Sequence, residues 1–272
     1  MPQMICALGD LLLDVVVRLD GPIAQDTDTY GRTRVGAGGQ AANVAAWVAS
    51  LGGSSRFIGK LARDGAGRLV QEELRGWGVD VSGPEVEGST GTVVSIATPD
   101  GKRTMLSDRG ISTELQREEL QPDWFLGCEW LHVPVYSLAR APLREAALEA
   151  MKRVENVSVD LSGSVALEQA GVQFVRHLIA DRPVRVVFGN EDEMVMLGPV
   201  PAAALVVKRG ARGLLVRTPP ETRELPARQA DVVDTTGAGD ALAAGFLLGG
   251  PELGLEAAAR CVARMGAMPS RG

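Results

Sequence analysis

Short apolar runs alternate along this chain with longer stretches in which apolar residues recur at helical spacing. Residues 40–51 show the helical pattern clearly, because Ala41, Val44, Ala45 and Val48 fall on one face of a helix. The pattern predicts strands at residues 3–9, 56–59, 130–135, 157–161, 184–188 and 204–207, and helices at residues 40–51, 68–77, 142–154, 172–180 and 191–197. Strands that alternate with helices form a mostly parallel sheet covered on both faces, so we expect a three-layer α/β/α fold.

Two regions without helices depart from this alternation. The strands predicted there cover residues 12–19 and 29–35 around a polar loop at 25–28, and residues 92–97 and 103–107 around a turn at 99–102. The turn reads Pro-Asp-Gly-Lys, which is typical of a hairpin. We expect these segments, about 12–35 and 90–108, to be inserted into a single domain of residues 1–272 and to form a small β-sheet that acts as a lid. The simpler alternative is a pair of surface hairpins without a special role.

The composition is that of an ordinary cytosolic protein. The net charge is −6 and no cluster of Lys and Arg stands out, which argues against nucleic acid as a partner because phosphate neutralisation needs a basic face. Cys6, Cys128 and Cys261 are far apart and odd in number, so we interpret them as reduced core residues. His132 and His177 have no Cys or His partner at metal spacing, which argues against zinc. No apolar run reaches the length of a membrane span and no signal peptide is evident, so we expect a cytoplasmic protein without a membrane partner.

The most informative segment is a glycine-rich loop at residues 232–240, Val-Val-Asp-Thr-Thr-Gly-Ala-Gly-Asp. Its two valines are predicted to end a strand, and residues 241–248 are predicted to form the helix that follows. Gly237 and Gly239 would direct unpaired backbone N–H groups and the positive end of the helix dipole at one point, which favours an anion. Asp240 lies at the same point and is a candidate proton acceptor. An anion cradle beside a base is what phosphoryl transfer requires.

Other nucleotide-binding motifs fit the chain poorly. No Gly-x-x-x-x-Gly-Lys-Ser/Thr segment occurs, which excludes a P-loop enzyme. Residues 36–41 match the Rossmann fingerprint loosely, but they do not follow the first strand and no acidic residue lies about 20 positions further on. The same stretch places Gly38, Gly39 and Asn43 at the start of a predicted helix. Two glycines allow a polyhydroxylated ligand to approach closely, and Asn43 can donate and accept hydrogen bonds toward it; alone, the pattern is also that of a helix cap.

Taken together, the two glycine motifs resemble those of the ribokinase-like family of carbohydrate and nucleoside kinases, the phosphofructokinase B group. The resemblance covers essentially the whole chain, and both motifs occur in the expected order. Asp-Thr-Thr-Gly-Ala-Gly-Asp at 234–240 is the more specific of the two. Shorter matches are Gly-Asp at 9–10, the segment 59–67, Asn-Glu-Asp-Glu at 190–193, Val-Lys-Arg-Gly at 207–210 and Gly-Ala-Met-Pro-Ser at 266–270.

The resemblance implies a kinase that transfers the γ-phosphoryl group of ATP to a hydroxyl of a small sugar or nucleoside. Asp240 matches the family's general base, and the backbone amides of Gly237, Ala238 and Gly239 match its anion hole. The positions that match the acceptor-binding residues are Asp10, Asp14, Gly38, Gly39 and Asn43. The lid would cover the acceptor.

The resemblance also implies ATP and Mg²⁺ as cofactors. Asn190 and Glu193 match an Asn-x-x-Glu motif that organises Mg²⁺ and the ATP phosphates through water, and Mg²⁺ does keep several waters in proteins. The alternative is that Glu193 and its acidic neighbours do no more than open a helix. The positions that match nucleotide contacts are Lys208, Gly210 and Thr236, and those that bind a monovalent cation such as K⁺ in some family members are Asp234, Thr236, Gly266 and Ser270.

The residues that would choose the acceptor depart from known patterns. Tyr136 and Ser137 stand where ribokinases proper usually have a glutamate that contacts the sugar. Asp160 begins a segment in which many sugar-acid kinases carry Asp-x-Asn-x-Arg, but the Asn and the Arg are missing. Both departures favour a neutral acceptor other than ribose. The alternatives are a catalytically silent sensor of the same fold and a dinucleotide-dependent oxidoreductase. An exposed edge of the lid further predicts a homodimer.

Overall fold

The computed structural model describes residues 4–100, 103–182 and 184–270. The strands in these ranges are β1 (Met4–Leu8), β2 (Leu12–Leu19), β3 (Gly31–Gly38), β4 (Ser54–Ile58), β5 (Leu61–Ala62), β6 (Asp80–Ser82), β7 (Glu85–Val86), β8 (Thr90–Ala97), β9 (Arg103–Gly110), β10 (Cys128–Pro134), β11 (Asn156–Asp160), β12 (Val184–Asn190), β13 (Ala204–Lys208), β14 (Leu214–Thr218) and β15 (Glu221–Leu225). The helices are α1 (Gln40–Ser50), α2 (Gly65–Gly76), α3 (Leu143–Ala150), α4 (Ser164–Ala170), α5 (Val172–Asp181), α6 (Glu191–Leu197), α7 (Ala238–Gly249) and α8 (Pro251–Val262).

The main sheet has the order β15-β14-β13-β12-β11-β10-β1-β4-β6. Neighbouring strands from β13 through β6 run parallel, and only the pairs β13–β14 and β14–β15 are antiparallel within the described residues. The mostly parallel sheet predicted from the sequence is therefore confirmed. Its strands run in one direction from β13 to β6, so that their carboxyl ends meet at one edge, where ligands bind in open α/β sheets.

Helices cover both faces of this sheet, as predicted. Because side chains alternate along a strand, Ile5 and Ala7 of β1 point to one face while Cys6 and Leu8 point to the other. The first face packs against α1, α2, α7 and α8, and the second against α3, α4 and α5. The molecule thus has the three layers expected from the alternating pattern, with a core on each side of the sheet.

The two regions without helices combine into one separate sheet of order β3-β2-β8-β9. Strand β2 pairs with β3 in antiparallel and with β8 in parallel fashion, and β9 closes the sheet antiparallel to β8. Strands β3, β8 and β9 are longer than their predicted segments. Of the predicted turn at 99–102, Gly101 and Lys102 lie outside the described residues. We call the four strands the small sheet.

The structure corrects one predicted strand. Val232 and Val233 are not in a strand and are 67% and 47% exposed. The backbone N–H groups of Val233 and Asp234 both donate to the carbonyl of Val262 at the end of α8, at 2.7 and 3.2 Å, so no strand pairing is available to them. The hairpin β14–β15 and helix α8 were not predicted. For β15 the reason is that it is a solvent-facing polar strand whose residues show no apolar alternation. No helix among the described residues is long and apolar enough to cross a membrane.

Candidate active site

Polar residues follow the carboxyl ends of five adjacent parallel strands. Asp10 comes after β1, Tyr136 after β10, and Asp160, Asn190 and Lys208 end β11, β12 and β13. The small sheet and the N-terminal end of α7 adjoin the same edge, as the contacts below show. This edge therefore brings together residues that are separated by about the whole length of the sequence.

The glycine-rich loop leads directly into α7. Gly237 has a left-handed backbone with φ of 77°, and a Cβ there would lie 2.5 Å from the Cβ of Ala267, so only glycine fits. The helix begins at Ala238, three residues before the predicted start, and Gly239 and Asp240 lie in its first turn. The amide of Ala238 makes a 3.3 Å contact with the carbonyl of Thr235. The first amides of a helix have no partner within the helix, so this end of α7 is suited to an anion.

Asp240 is held as a buried carboxylate in the first turn of α7. Its side chain accepts a hydrogen bond of 2.7 Å from Nδ2 of Asn43, and the residue is 8% exposed. Burial, aided by the charges of Asp160 and Asp10 and opposed by Asn43 and Lys208, raises the pKa of Asp240 to about 7. A carboxyl group that titrates near neutral pH suits a general base.

The glycine pair before α1 allows the chain to pack closely against Asp10 and Asp14. A Cβ on Gly38 would lie 2.1 Å from Cγ of Asp14, and one on Gly39, whose φ is 97°, would lie 2.4 Å from the carbonyl oxygen of Asp10. The amide of Asn43 donates to the carbonyl of Gly39 at 2.8 Å, which fixes the first turn of α1. The predicted acceptor-binding residues are thus brought together, with Asn43 turned toward Asp240.

Asp14 lies in β2 beside this glycine pair. Burial, aided by the nearby Asp10 carboxylate and opposed by Arg109, raises its pKa to about 7. The carboxyl group is therefore close to the other acidic residues at this end of the sheet.

Arg109 is a contact residue that the sequence interpretation missed. It lies near the end of β9, and its Nη1 donates to Oδ2 of Asp10, which is 4% exposed. Its guanidinium also lies over the ring of Tyr136, 4.0 Å from the centroid. These residues line a cavity of about 970 Å³ between the small sheet and the main sheet. The available signal was a basic residue two positions beyond the lid strand predicted at 103–107.

A buried ion pair lies beside the loop. Nζ of Lys208 contacts Oδ1 and Oδ2 of Asp160 at 3.0 and 2.8 Å, and the Asp160 side chain is fully buried. Burial disfavours the charged lysine, but the attraction of Asp160, with smaller contributions from Glu193 and Asp240, leaves its pKa raised. Nζ of Lys208 would lie 3.2 Å from a Cβ on Gly239, so its positive charge adjoins the N-terminus of α7.

Asn190 and Glu193 cap α6. The Asn190 side chain accepts from the Glu193 amide at 2.9 Å, while the Glu193 carboxylate accepts from the amide of Asn190 at 3.0 Å and from its Nδ2 at 2.6 Å. This reciprocal arrangement is a capping box, which accounts for both side chains structurally. Burial raises the pKa of Glu193, and Lys208 opposes the shift.

The remaining predicted residues occupy two turns. Gly210, with φ of 56°, opens a short 3₁₀ helix at Gly210–Arg212, directly after β13. Asp234 accepts hydrogen bonds from Thr236 and from the amide of Gly266, so the loop before α7 is tied to the segment after α8. Ser270 is exposed and accepts from Arg264.

Comparisons with known proteins agree with this arrangement. The family model described as "pfkB family carbohydrate kinase" matches residues 2–268. The chain belongs to the pfkB family of carbohydrate kinases. It is therefore a phosphotransferase with an alcohol group as acceptor, as the glycine motifs predicted.

Individual relatives of this pfkB chain act on different acceptors. A fructokinase of Klebsiella pneumoniae is 32% identical over 90% of this chain and 83% of its own length. An aminoimidazole riboside kinase of Salmonella typhimurium is 31% identical over 77% of this chain and 72% of its own length. The crystal structure of adenosine kinase from Sinorhizobium meliloti superposes with a TM-score of 0.87 at 25% identity, covering 100% of this chain and 97% of that one. The ribokinase-like fold is thus confirmed.

Proposed function

We propose that this pfkB kinase transfers the γ-phosphoryl group of ATP to a hydroxyl of a small sugar or nucleoside, with Asp240 as the general base. The observation that carries the proposal is the buried Asp240 carboxylate, held by Asn43 in the first turn of α7 and titrating near pH 7. When the acceptor hydroxyl attacks, Asp240 takes its proton. Because the carboxylate lies in the first turn of α7, at a helix end suited to an anion, base and phosphoryl group would meet at one place.

Backbone amides and one lysine would stabilise the transferred phosphoryl group. The N–H groups of Gly237, Ala238 and Gly239 lie at the start of α7, where a helix leaves its first amides without partners within the helix. The amide of Ala238 would exchange its 3.3 Å contact with Thr235 for the phosphoryl group. Lys208 adds a positive charge next to Gly239. Fixed donors and a cation of this kind act where negative charge accumulates during the transfer.

The acceptor side is supported by two buried oxygen atoms that lack hydrogen-bond partners among the described residues. These are Oδ1 of Asp10 and Oδ1 of Asn43. Buried polar atoms are nearly always satisfied in folded proteins, so two unsatisfied acceptors, of which that of Asp10 belongs to a residue lining the cavity, favour a ligand that donates hydrogen bonds. Neighbouring hydroxyl groups of a sugar or ribose ring are such donors. The small sheet would then act as the lid, with Arg109 positioned over Asp10.

Mg²⁺ would be held by the ATP phosphates and, through water, by Glu193. The chemistry fits, since each oxygen of Glu193 accepts one hydrogen bond and retains a lone pair, and a nearby cation would favour its buried charge. A bound Mg²⁺ would neutralise charge on the phosphates. Lys208 and Gly210 would contact the nucleotide from the ends of β13 and the following turn.

A homodimer formed through the lid is a further proposal. Strands β3 and β9 are the outer strands of the small sheet, and Val35, Met105 and Leu106 on them are 53%, 50% and 59% exposed. Unpaired strand edges that carry apolar residues favour pairing with another chain. Sedimentation of the purified protein would show a dimer, whereas a monomer at all concentrations would contradict this proposal.

The function is tested by incubating the protein with ATP, Mg²⁺ and single acceptors, and detecting phosphorylated products by mass spectrometry. The acceptors are fructose, aminoimidazole riboside, adenosine and ribose. We expect ATP-dependent phosphorylation of at least one neutral acceptor, and less of ribose. Binding of an acceptor without any product would instead favour a catalytically silent sensor. Stabilisation by NAD(P) but by no sugar or nucleotide would favour the oxidoreductase alternative.

A further inference from the structure

Arginines from the small sheet contact the loop that carries Asp234 and Thr236 and the segment after α8 that is tied to this loop. Nη1 of Arg103, the first residue of β9, donates to Oγ1 of Thr236 and lies 3.9 Å from Oδ1 of Asp234. Nη1 of Arg34, in β3, donates to the carbonyl of Met265 at 2.5 Å. The two outer strands of the small sheet therefore both reach the segments that the family resemblance assigns to a monovalent cation.

The oxygen atoms of Asp234 are already occupied by donors. Oδ1 accepts from the amide and the hydroxyl of Thr236 at 2.9 and 2.6 Å, and Oδ2 accepts from the amide of Gly266 at 2.9 Å. The hydroxyl of Thr236 also receives the Arg103 guanidinium, which completes a chain from Arg103 through Thr236 to Asp234. The carboxylate thus has the partners that a bound cation would otherwise replace.

The neighbouring oxygen atoms are occupied as well. The carbonyl of Met265 receives Arg34, and that of Ala267 accepts from Nε1 of Trp47 at 2.8 Å. Oγ of Ser270 accepts from Nη1 of Arg264. K⁺ is held in proteins by oxygen atoms that replace its hydration shell. Around Asp234, those oxygen atoms face N–H donors, which repel a cation.

The positive charges around the loop also argue against a bound cation. Arg34, Arg103 and Arg264 place three guanidinium groups on these oxygen atoms, and Arg260 adds a fourth positive charge nearby. The pKa of Arg264 is lowered by burial and by the positive charges of Arg260 and Arg34. A cation placed here would meet several guanidinium groups at short range, and the donor set does not fit one.

We propose that Arg103 and Arg34 take the place of a monovalent cation in this chain, so that the lid and not a metal ion organises the loop of Asp234 and the anion hole that follows it. The link to the anion hole is short, because Thr236 directly precedes Gly237. Closure of the lid over an acceptor would then complete the phosphoryl site at the same time. The catalytic part of this inference rests on the proposed kinase function, whereas the absence of a cation site does not.

The first test measures the melting temperature without substrates, in KCl and in choline chloride at equal ionic strength. We expect the same melting temperature in both salts. A K⁺ site filled well above its dissociation constant would raise it by roughly 5 °C or more. A rise specific to K⁺ would overturn the inference whether or not the protein is a kinase.

The second test compares phosphoryl transfer in the same two salts for the wild type, for Arg34→Gln/Arg103→Gln and for Arg32→Gln. Arg32 lies in β3 two residues before Arg34 and is exposed, and its side chain has no hydrogen bond or ion pair among the described residues, so it controls for loss of charge. We expect equal wild-type rates in both salts, a fall of about tenfold or more in kcat for the double variant, and no change for Arg32→Gln. A wild-type rate that requires K⁺, or a double variant with wild-type kcat, would overturn the inference; should the double variant not fold, the wild-type comparison still decides.

Discussion

The hydrogen bond from Asn43 to Asp240 makes a quantitative prediction about pH dependence. Asn43→Ala removes the 2.7 Å bond to Oδ2 of Asp240, while alanine, the best helix former, preserves α1. The bond stabilises the charged carboxylate and so opposes the effect of burial, and with this bond in place the pKa is raised to about 7. A hydrogen bond to a charged group contributes about 1.5–3 kcal/mol, which at about 1.4 kcal/mol per pKa unit corresponds to a rise of roughly one to two units.

The assay is the pH dependence of kcat/KM, which reports the free enzyme's essential groups. The wild-type rate should increase with pH through about 7, as Asp240 loses its proton. In Asn43→Ala the same inflection should lie at about pH 8 to 9, so that the rate deficit is large at neutral pH and shrinks in alkali. An inflection that stays near the wild-type position, with a deficit independent of pH, would mean that Asn43 contacts the acceptor alone and does not tune the base.

Further predictions concern the anion hole, the buried ion pair and a buried histidine. Gly239→Val should lower kcat by about 10²-fold or more, because the new side chain would contact Lys208 and cover the amides. The melting temperature should change little, because Gly239 does not have an unusual backbone conformation. A wild-type kcat would contradict the assignment of the anion hole to this loop. Asp160→Asn should cost about 3 kcal/mol in urea unfolding, because it leaves the charge of Lys208 without its buried partner, and a change under about 0.5 kcal/mol would contradict that account. Burial lowers the pKa of His132 to about 4, so between pH 6.5 and 4 the unfolded chain binds more protons than the folded chain. As the pH falls through this window, the free energy of unfolding should therefore decrease by up to about 3 kcal/mol. His132→Gln should remove that pH dependence, and an unchanged slope would show that other groups cause it.

Most of the parallel strands, the strands of the small sheet and several helices could be predicted because their pattern is local. Strand β2 at Leu12–Leu19 and helix α6 at Glu191–Leu197 were predicted with the observed bounds. Each carries its own signal: apolar residues in β2, and Asn190 with acidic residues at the start of α6. Local signals do not depend on where the rest of the chain lies.

The strand end that was wrongly predicted at Val232 and Val233 depends on a partner distant in sequence. Val232 and Val233 look like the end of a strand, but their segment bonds to the carbonyl of Val262 and remains exposed. Tertiary context decided this case, because valine has the same β propensity in either place.

Within the candidate site, the sequence indicated residue types but not their partners. It indicated Asp240 and Asn43 separately, as a base and as an acceptor contact, and the structure joins them by a hydrogen bond across 197 positions. It noted Asp160 as the remnant of another motif and did not pair it with Lys208. Contacts of this kind arise only when the fold brings distant helices and strands together, which no local pattern contains.

The most direct test of the proposed mechanism is the turnover of Asp240→Asn with ATP and the best acceptor found. The substitution keeps the size of the side chain and removes its ability to take a proton, so kcat should fall by about 100-fold or more at every pH. The melting temperature should not fall, because the variant replaces a buried carboxyl group whose charge is disfavoured by burial. A kcat within a few fold of the wild type, in a folded variant, would contradict the assignment of Asp240 as the general base.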